Sequence, residues 1–129
     1  MKNLSGLHVL VIDDSFVNRQ YIKTVLEEEE ILVIEAGDGS EALDILETSK
    51  PDLIILDLLM PVMDGVETLQ KIRGRGYRFP ILILTADMND TTRQTCLQSG
   101  VSGFINKPTN GKEILKLIDT VFQNNWKNN

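Results

Sequence analysis

The stretch Leu53-Ile54-Ile55-Leu56 is apolar at every position rather than at alternate ones. A strand with one wet face alternates; a strand apolar throughout is covered on both faces, as in a parallel sheet between two helical layers. Ile81-Leu82-Ile83-Leu84, introduced by Pro80, repeats the pattern, and His8 to Ile12 reads as a third buried strand. Amphipathic blocks separate these runs. Phe16, Tyr21, Ile22, Val25 and Leu26 recur at roughly helical spacing. Ile31 to Ala36 is a further strand, broken by Gly37-Asp38-Gly39-Ser40, where Asp38 or Ser40 can cap a helix carrying Ala42, Leu43, Ile45 and Leu46. Pro61 to Gly65 reads as a loop and Val66 to Arg73 as a helix. A helix from about Asn89 to Ser99 stops at Gly100. Gly103 to Asn106 is a short fifth strand. Asn110 to about Asn124 is the last helix, with Ile114, Leu115, Leu117, Ile118, Val121 and Phe122 toward the core. Five strand–helix units in succession imply an α/β fold, a parallel sheet with helices on both faces.

A chain of 129 residues suits one domain spanning 1–129, with a core of about 7–123 and a polar tail, 124–129, expected to fray. Its single cysteine, Cys96, excludes an internal disulfide and fits a reducing compartment. No apolar run approaches the ~18 residues that span a bilayer. The start has a lysine but no long apolar segment, so no signal peptide is read and a cytoplasmic location is expected. A net charge of −6 argues against a nucleic-acid surface. The acidic run Glu27 to Glu30 reads as a solvated helix end.

In open α/β sheets, ligands sit beyond the carboxyl ends of the strands. Here the first strand ends in Asp13-Asp14, the third in Asp57, the fourth in Thr85-Ala86 and the fifth in Asn106-Lys107-Pro108. Each has an ordinary reading alone: Asp13 or Asp14 as a helix cap, Thr85 as a strand residue, Lys107 as a solvated side chain. Asp57 is less ordinary, because an unpaired charge is costly inside Leu53 to Met60. Three convergent carboxylates repel one another and call for a cation. Oxygen-only ligation, shared with a phosphate, favours Mg²⁺ over Ca²⁺. Lys107 adds an ammonium and Thr85 a hydroxyl donor. Phosphoryl transfer needs mainly such positioning and charge neutralisation, and a carboxylate can be the nucleophile.

The ordered set Asp13-Asp14-Ser15, Asp57-Leu58-Leu59-Met60-Pro61-Val62-Met63-Asp64-Gly65, Thr85-Ala86 and Lys107-Pro108 resembles the response-regulator receiver family over nearly the whole chain. The resemblance implies a flavodoxin-like strand order 2-1-3-4-5. It implies that Asp57 accepts a phosphoryl group from a phosphohistidine on a histidine kinase or histidine phosphotransfer protein. It also implies that Asp14, Asp57 and the backbone carbonyl of Leu59 ligate Mg²⁺, with Asp13 helping through water. Thr85 and Lys107 would bind phosphoryl oxygens, Phe104 would be the switch aromatic, and the Lys107–Pro108 bond would be cis. Gly65 would relieve a tight loop after the site. The family often has tyrosine where this chain has Phe104, so no hydroxyl can report the active state here. The implied output is a changed binding face for a downstream protein that the sequence does not name. The implied assembly is a monomer or a weak phosphorylation-dependent dimer, without direct contact to nucleic acid or membrane.

Two other functions compete. A phosphatase of the haloacid-dehalogenase type would need a second acid two residues after its nucleophile, where Leu59 cannot transfer a proton. A flavin-binding module would need a Gly/Ser/Thr phosphate loop after the first strand, where Asp13-Asp14 would repel phosphate. Within the receiver reading, Met1 and the lack of a linker after Trp126 favour a complete protein over a receiver piece of a hybrid histidine kinase or transcription factor. The chain would then be no enzyme beyond catalysing its own phosphorylation and slow autodephosphorylation. Leu59 and Asp87, each two residues beyond a site residue, border the line of water attack on an acyl phosphate. Leu59 is expected to shield it.

Overall fold

The computed structural model describes residues 4–60, 64–86 and 89–127, with side chains described through residue 123. Strands β1 (His8–Ile12), β2 (Leu32–Ala36), β3 (Leu53–Asp57), β4 (Ile81–Thr85) and β5 (Gly103–Asn106) alternate with α1 (Phe16–Glu27), α2 (Gly39–Thr48), α3 (Gly65–Gly74), α4 (Asp90–Gln98) and α5 (Gly111–Lys127). The strands form one sheet in the order β2-β1-β3-β4-β5, every pair parallel.

Strand side chains alternate between faces with period two, and that period sorts the core into two layers. Leu10, Ile12, Ile54, Leu56, Ile81 and Ile83 join Leu43 and Leu46 of α2, Leu69 and Ile72 of α3 and Cys96 of α4. Val9, Val11, Leu53, Ile55, Leu82, Leu84 and Ile105 join Ile22 and Leu26 of α1 and Ile114, Ile118 and Val121 of α5. All residues of β3 and β4 are buried, as their unbroken apolar runs require. Replacing any one of these large side chains by alanine should cost about 2–5 kcal/mol.

Helix starts follow from short side chains. Asp38 caps α2 and Asp64 caps α3, each accepting from the backbone N–H of the glutamate three residues on, at 2.8 Å. Asn89 caps α4 in the same manner through Thr92. Helix α4 then closes at Gly100, whose φ of +74° is the left-handed conformation that glycine adopts without penalty.

Two local expectations change. Phe16 and Tyr21 share the helical spacing of α1 but are 64% and 44% exposed, whereas Ile22 and Leu26, one turn apart, are fully buried. The stripe that meets the sheet is narrower than the apolar pattern. Tyr21 instead accepts a hydrogen bond from the Gly111 N–H at 3.0 Å, and the Phe16 ring lies under the Arg19 guanidinium. The backbone of α5 continues to Lys127, three residues past the Asn124 at which the sequence reading ends it. None of the described helices is long and apolar enough to cross a membrane.

Candidate functional site

Each strand end delivers a polar side chain, and the ladder continues one step past the strands to fix them. The Asp13 N–H bonds the Ala36 carbonyl at 3.1 Å, and the Lys107 N–H bonds the Thr85 carbonyl at 2.8 Å. Alternation then assigns faces. Asp13, Asp57 and Lys107 are in phase with Val11, Ile55 and Ile105, on the α1/α5 side. Thr85 and Phe104 are in phase with Ile83, on the α3/α4 side.

An open cleft of about 320 Å³ lies at the carboxyl end of β1 and β3, walled by Asp13, Asp14, Asn18, Asp57, Leu59 and Lys107 among others. Carboxylate oxygens of Asp13, Asp14 and Asp57 lie within 4.8 Å of one another. Asp13 is fully buried, Asp57 is 2% exposed and Asp14 faces solvent. Lys107 Nζ donates to Asp57 Oδ1 at 2.9 Å, and the Leu59 N–H donates to the same oxygen at 3.2 Å. Burial pushes the Asp57 carboxyl above its ordinary value. The Lys107 hydrogen bond opposes that rise, the Asp13 charge adds to it, and the Leu59 N–H opposes it. Burial outweighs the ammonium, so this carboxylate holds its charge at a cost.

The donor set is all oxygen and carries three acidic groups with one side open to solvent. That chemistry fits a hard divalent ion sharing its coordination sphere with a phosphate, the usual situation of Mg²⁺.

The first turn of α1 supports the site in a way that the motif did not announce. Ser15 caps the helix, accepting from the Asn18 N–H at 3.1 Å, while the Ser15 N–H donates to Asp13 Oδ1 at 2.9 Å. The Asn18 amide donates to Asp13 Oδ2. Arg19 donates to the Asp13 carbonyl at 2.6 Å and pairs with Glu35 at 3.0 Å. A polar residue five or six positions past Asp13, in the first turn of the helix that starts there, was the available signal.

Gly65 lies so close to the end of β3 that a Cβ on it would be 2.4 Å from Leu58 Cα and 2.5 Å from the Asp57 carbonyl oxygen. Only glycine fits there. Pro61, Val62, Met63 and Asp87 lie outside the described residues, so their expected roles have no structural counterpart here. Leu59 is 68% exposed at the cleft mouth. Thr85, at the end of β4, is 6% exposed. Phe104 packs half-buried against the α3/α4 layer, with the Arg93 guanidinium of α4 over its ring at 4.5 Å from the centroid. The Lys107–Pro108 bond is cis.

The model of the response regulator receiver domain matches residues 9–119. An uncharacterised 14.6 kDa protein from the sodA1 3′ region of Leptolyngbya boryana is 34% identical, covering 92% of each chain. The osmosensing histidine protein kinase SLN1 of Saccharomyces cerevisiae is 41% identical over 94% of this chain, which spans only 10% of that protein. The alkaline phosphatase synthesis transcriptional regulatory protein PhoP of Bacillus subtilis is 35% identical over 89% of this chain and 48% of its own length. Among solved structures, the chemotaxis protein CheY4 of Vibrio cholerae superposes with a TM-score of 0.84 at 36% identity, covering 89% of this chain and 98% of that one.

Proposed function

Because this chain belongs to the response regulator receiver family of two-component signalling, we propose that it is a phosphorylation-dependent switch whose acceptor is Asp57. The observation that carries this reading is the position of Asp57: a buried carboxylate with an ammonium 2.9 Å away on one side and two further acids on the other. A carboxylate oxygen of Asp57 attacks the phosphorus of a phosphohistidine on a histidine kinase or histidine phosphotransfer protein. The P–N bond breaks, the imidazole leaves, and an acyl phosphate forms on Asp57. Both donors in this structure, the Lys107 ammonium and the Leu59 N–H, load Oδ1, so Oδ2 is the oxygen assigned to the attack. Asp13, Asp14, Asp57 and the Leu59 carbonyl would hold Mg²⁺, which when bound neutralises charge on the phosphoryl oxygens. Lys107 neutralises the remainder. The domain acts in the cytoplasm, turns over nothing beyond its own acyl phosphate, and touches neither nucleic acid nor membrane.

The face assignment supports a route for the output. Phe104 pairs in register with Ile83, two residues before Thr85 on β4, so both switch residues line the side of the sheet that α4 covers. Movement of the Thr85 hydroxyl toward a new phosphoryl group vacates space on that side, and Phe104 turns into it. The remodelled surface, made by α4, β5 and α5, meets the downstream protein.

Binding of Mg²⁺ with beryllofluoride mimics the acyl phosphate. In ¹H–¹⁵N spectra, the resulting shifts should extend from the pocket into residues 89–99 and 103–109. Shifts confined to the neighbours of Asp57 would contradict the output route, and absence of any binding would contradict the acceptor itself.

A further inference from the structure

We propose that Asn18 is a positioning residue for the metal site, clamping Asp13 through an uncharged donor so that the acidic cluster keeps its full charge. This rests on the Mg²⁺ reading of Asp13, Asp14 and Asp57 above. Asp13 is fully buried beside two other carboxylates, so every neighbour that is negative pushes it toward another rotamer. Two donors hold it: the Ser15 N–H on Oδ1 and the Asn18 amide on Oδ2. Each carboxylate oxygen has roughly two acceptor directions. One on each oxygen is therefore taken by the protein, and one on each remains for the cleft.

The chemistry of the second donor decides what it does for the cation. A lysine or arginine at residue 18 would hold Asp13 equally well but would bring a positive charge into the cluster, competing with the metal. An amide supplies the hydrogen bond at no charge. Asn18 can do this because of its place in α1. It is the third residue after the cap, its N–H is already satisfied by Ser15 Oγ, and its half-buried side chain lies on the cleft wall. Arg19, next along, sends its charge away from the carboxylates, to the Asp13 carbonyl and to Glu35. The basic side chain in this turn is directed to the backbone and to a separate acid, while the neutral one meets the site.

Partners that orient ligands of a metal typically matter by about tenfold or more in affinity. Asn18→Leu keeps the size of the side chain and removes the donor. Asn18→Ser shortens it out of reach and serves the same comparison should the leucine variant not fold. Thermal stability of wild type and variant is measured in EDTA and across a Mg²⁺ series, and the metal-dependent increment gives the dissociation constant by linkage. The expected result is a constant raised about tenfold, with the drop in stability larger in Mg²⁺ than in EDTA. An equal drop in both, with an unchanged constant, makes Asn18 a structural contact only and overturns the proposal. No Mg²⁺-dependent increment in wild type would overturn the metal reading itself, a distinct failure visible before any variant is made.

Discussion

A buried carboxylate costs a fold stability unless its charge is fully compensated, and for Asp57, 2% exposed and paired with Lys107, burial outweighs that pairing. Its folded-state proton affinity exceeds the ordinary value of 3.8, chiefly through burial. Between that value and the raised one, the native state binds more protons than the unfolded state, so stability falls as pH rises through the window. Above the window the cost is present in full. Asp57→Asn should therefore raise the melting temperature in EDTA at neutral pH, and the gain should shrink as pH falls toward 3.8 and below. A gain that grows on acidification would show that the carboxylate is not the destabilised group. For the proposed acyl phosphate, a different residue is expected to set the lifetime. Leu59, exposed at the cleft mouth, can neither orient a water nor take its proton. Leu59→Asn should speed loss of the phosphoryl group about tenfold, roughly 1.4 kcal/mol off the barrier. Decay of the purified phosphorylated protein at fixed Mg²⁺ measures it; an unchanged or slower rate removes Leu59 as a shield.

At the scale of elements, the two sides of the sheet carry different duties. The α1/α5 side holds Asp13, Asp57 and Lys107, and the α3/α4 side holds Thr85 and Phe104. Two features brace the second side. Arg73 reaches from α3 to the carbonyls of Tyr77, Phe79, Ser99 and Gly100, tying the start of β4 to the end of α4. Arg93 lies over the Phe104 ring, tying α4 to β5. If Phe104 turns inward on phosphorylation, the Arg93 contact is made only in the resting state and opposes activation. Removing it should favour the active packing by about the strength of an exposed cation–π pair, and by reciprocity Arg93→Ala should bind beryllofluoride about two- to fivefold more tightly. Weaker binding would mean that Arg93 supports the active arrangement instead.

Taken as a whole molecule, the chain places its chemistry at one end of a sheet whose middle strands were the plainest part of the sequence. Unbroken apolar runs gave β3 and β4, and the polar residue closing each run marked the rim. The strand order came from family resemblance, because apolar runs alone say that strands are parallel, not which neighbours they take. Exposure of Phe16 and Tyr21 was hidden because spacing shows a helical face but not how much of it the sheet covers. Asn18, Arg19 and Arg73 were hidden for a related reason: each acts on a group brought near only by folding, and a lone polar residue on a helix ordinarily faces water. Thr85 closes β4 in phase with Ile83, on the α3/α4 side of the sheet, a placement that alternation gives once the strand is known. The most direct test of the account is phosphorylation of the intact chain by a small-molecule phosphodonor with Mg²⁺, followed by mass spectrometry. Wild type should gain one phosphoryl group that hydroxylamine removes, and should gain none in EDTA. Asp57→Asn should gain none. An equal gain by Asp57→Asn, or undiminished transfer in EDTA, would contradict a metal-dependent acceptor at Asp57.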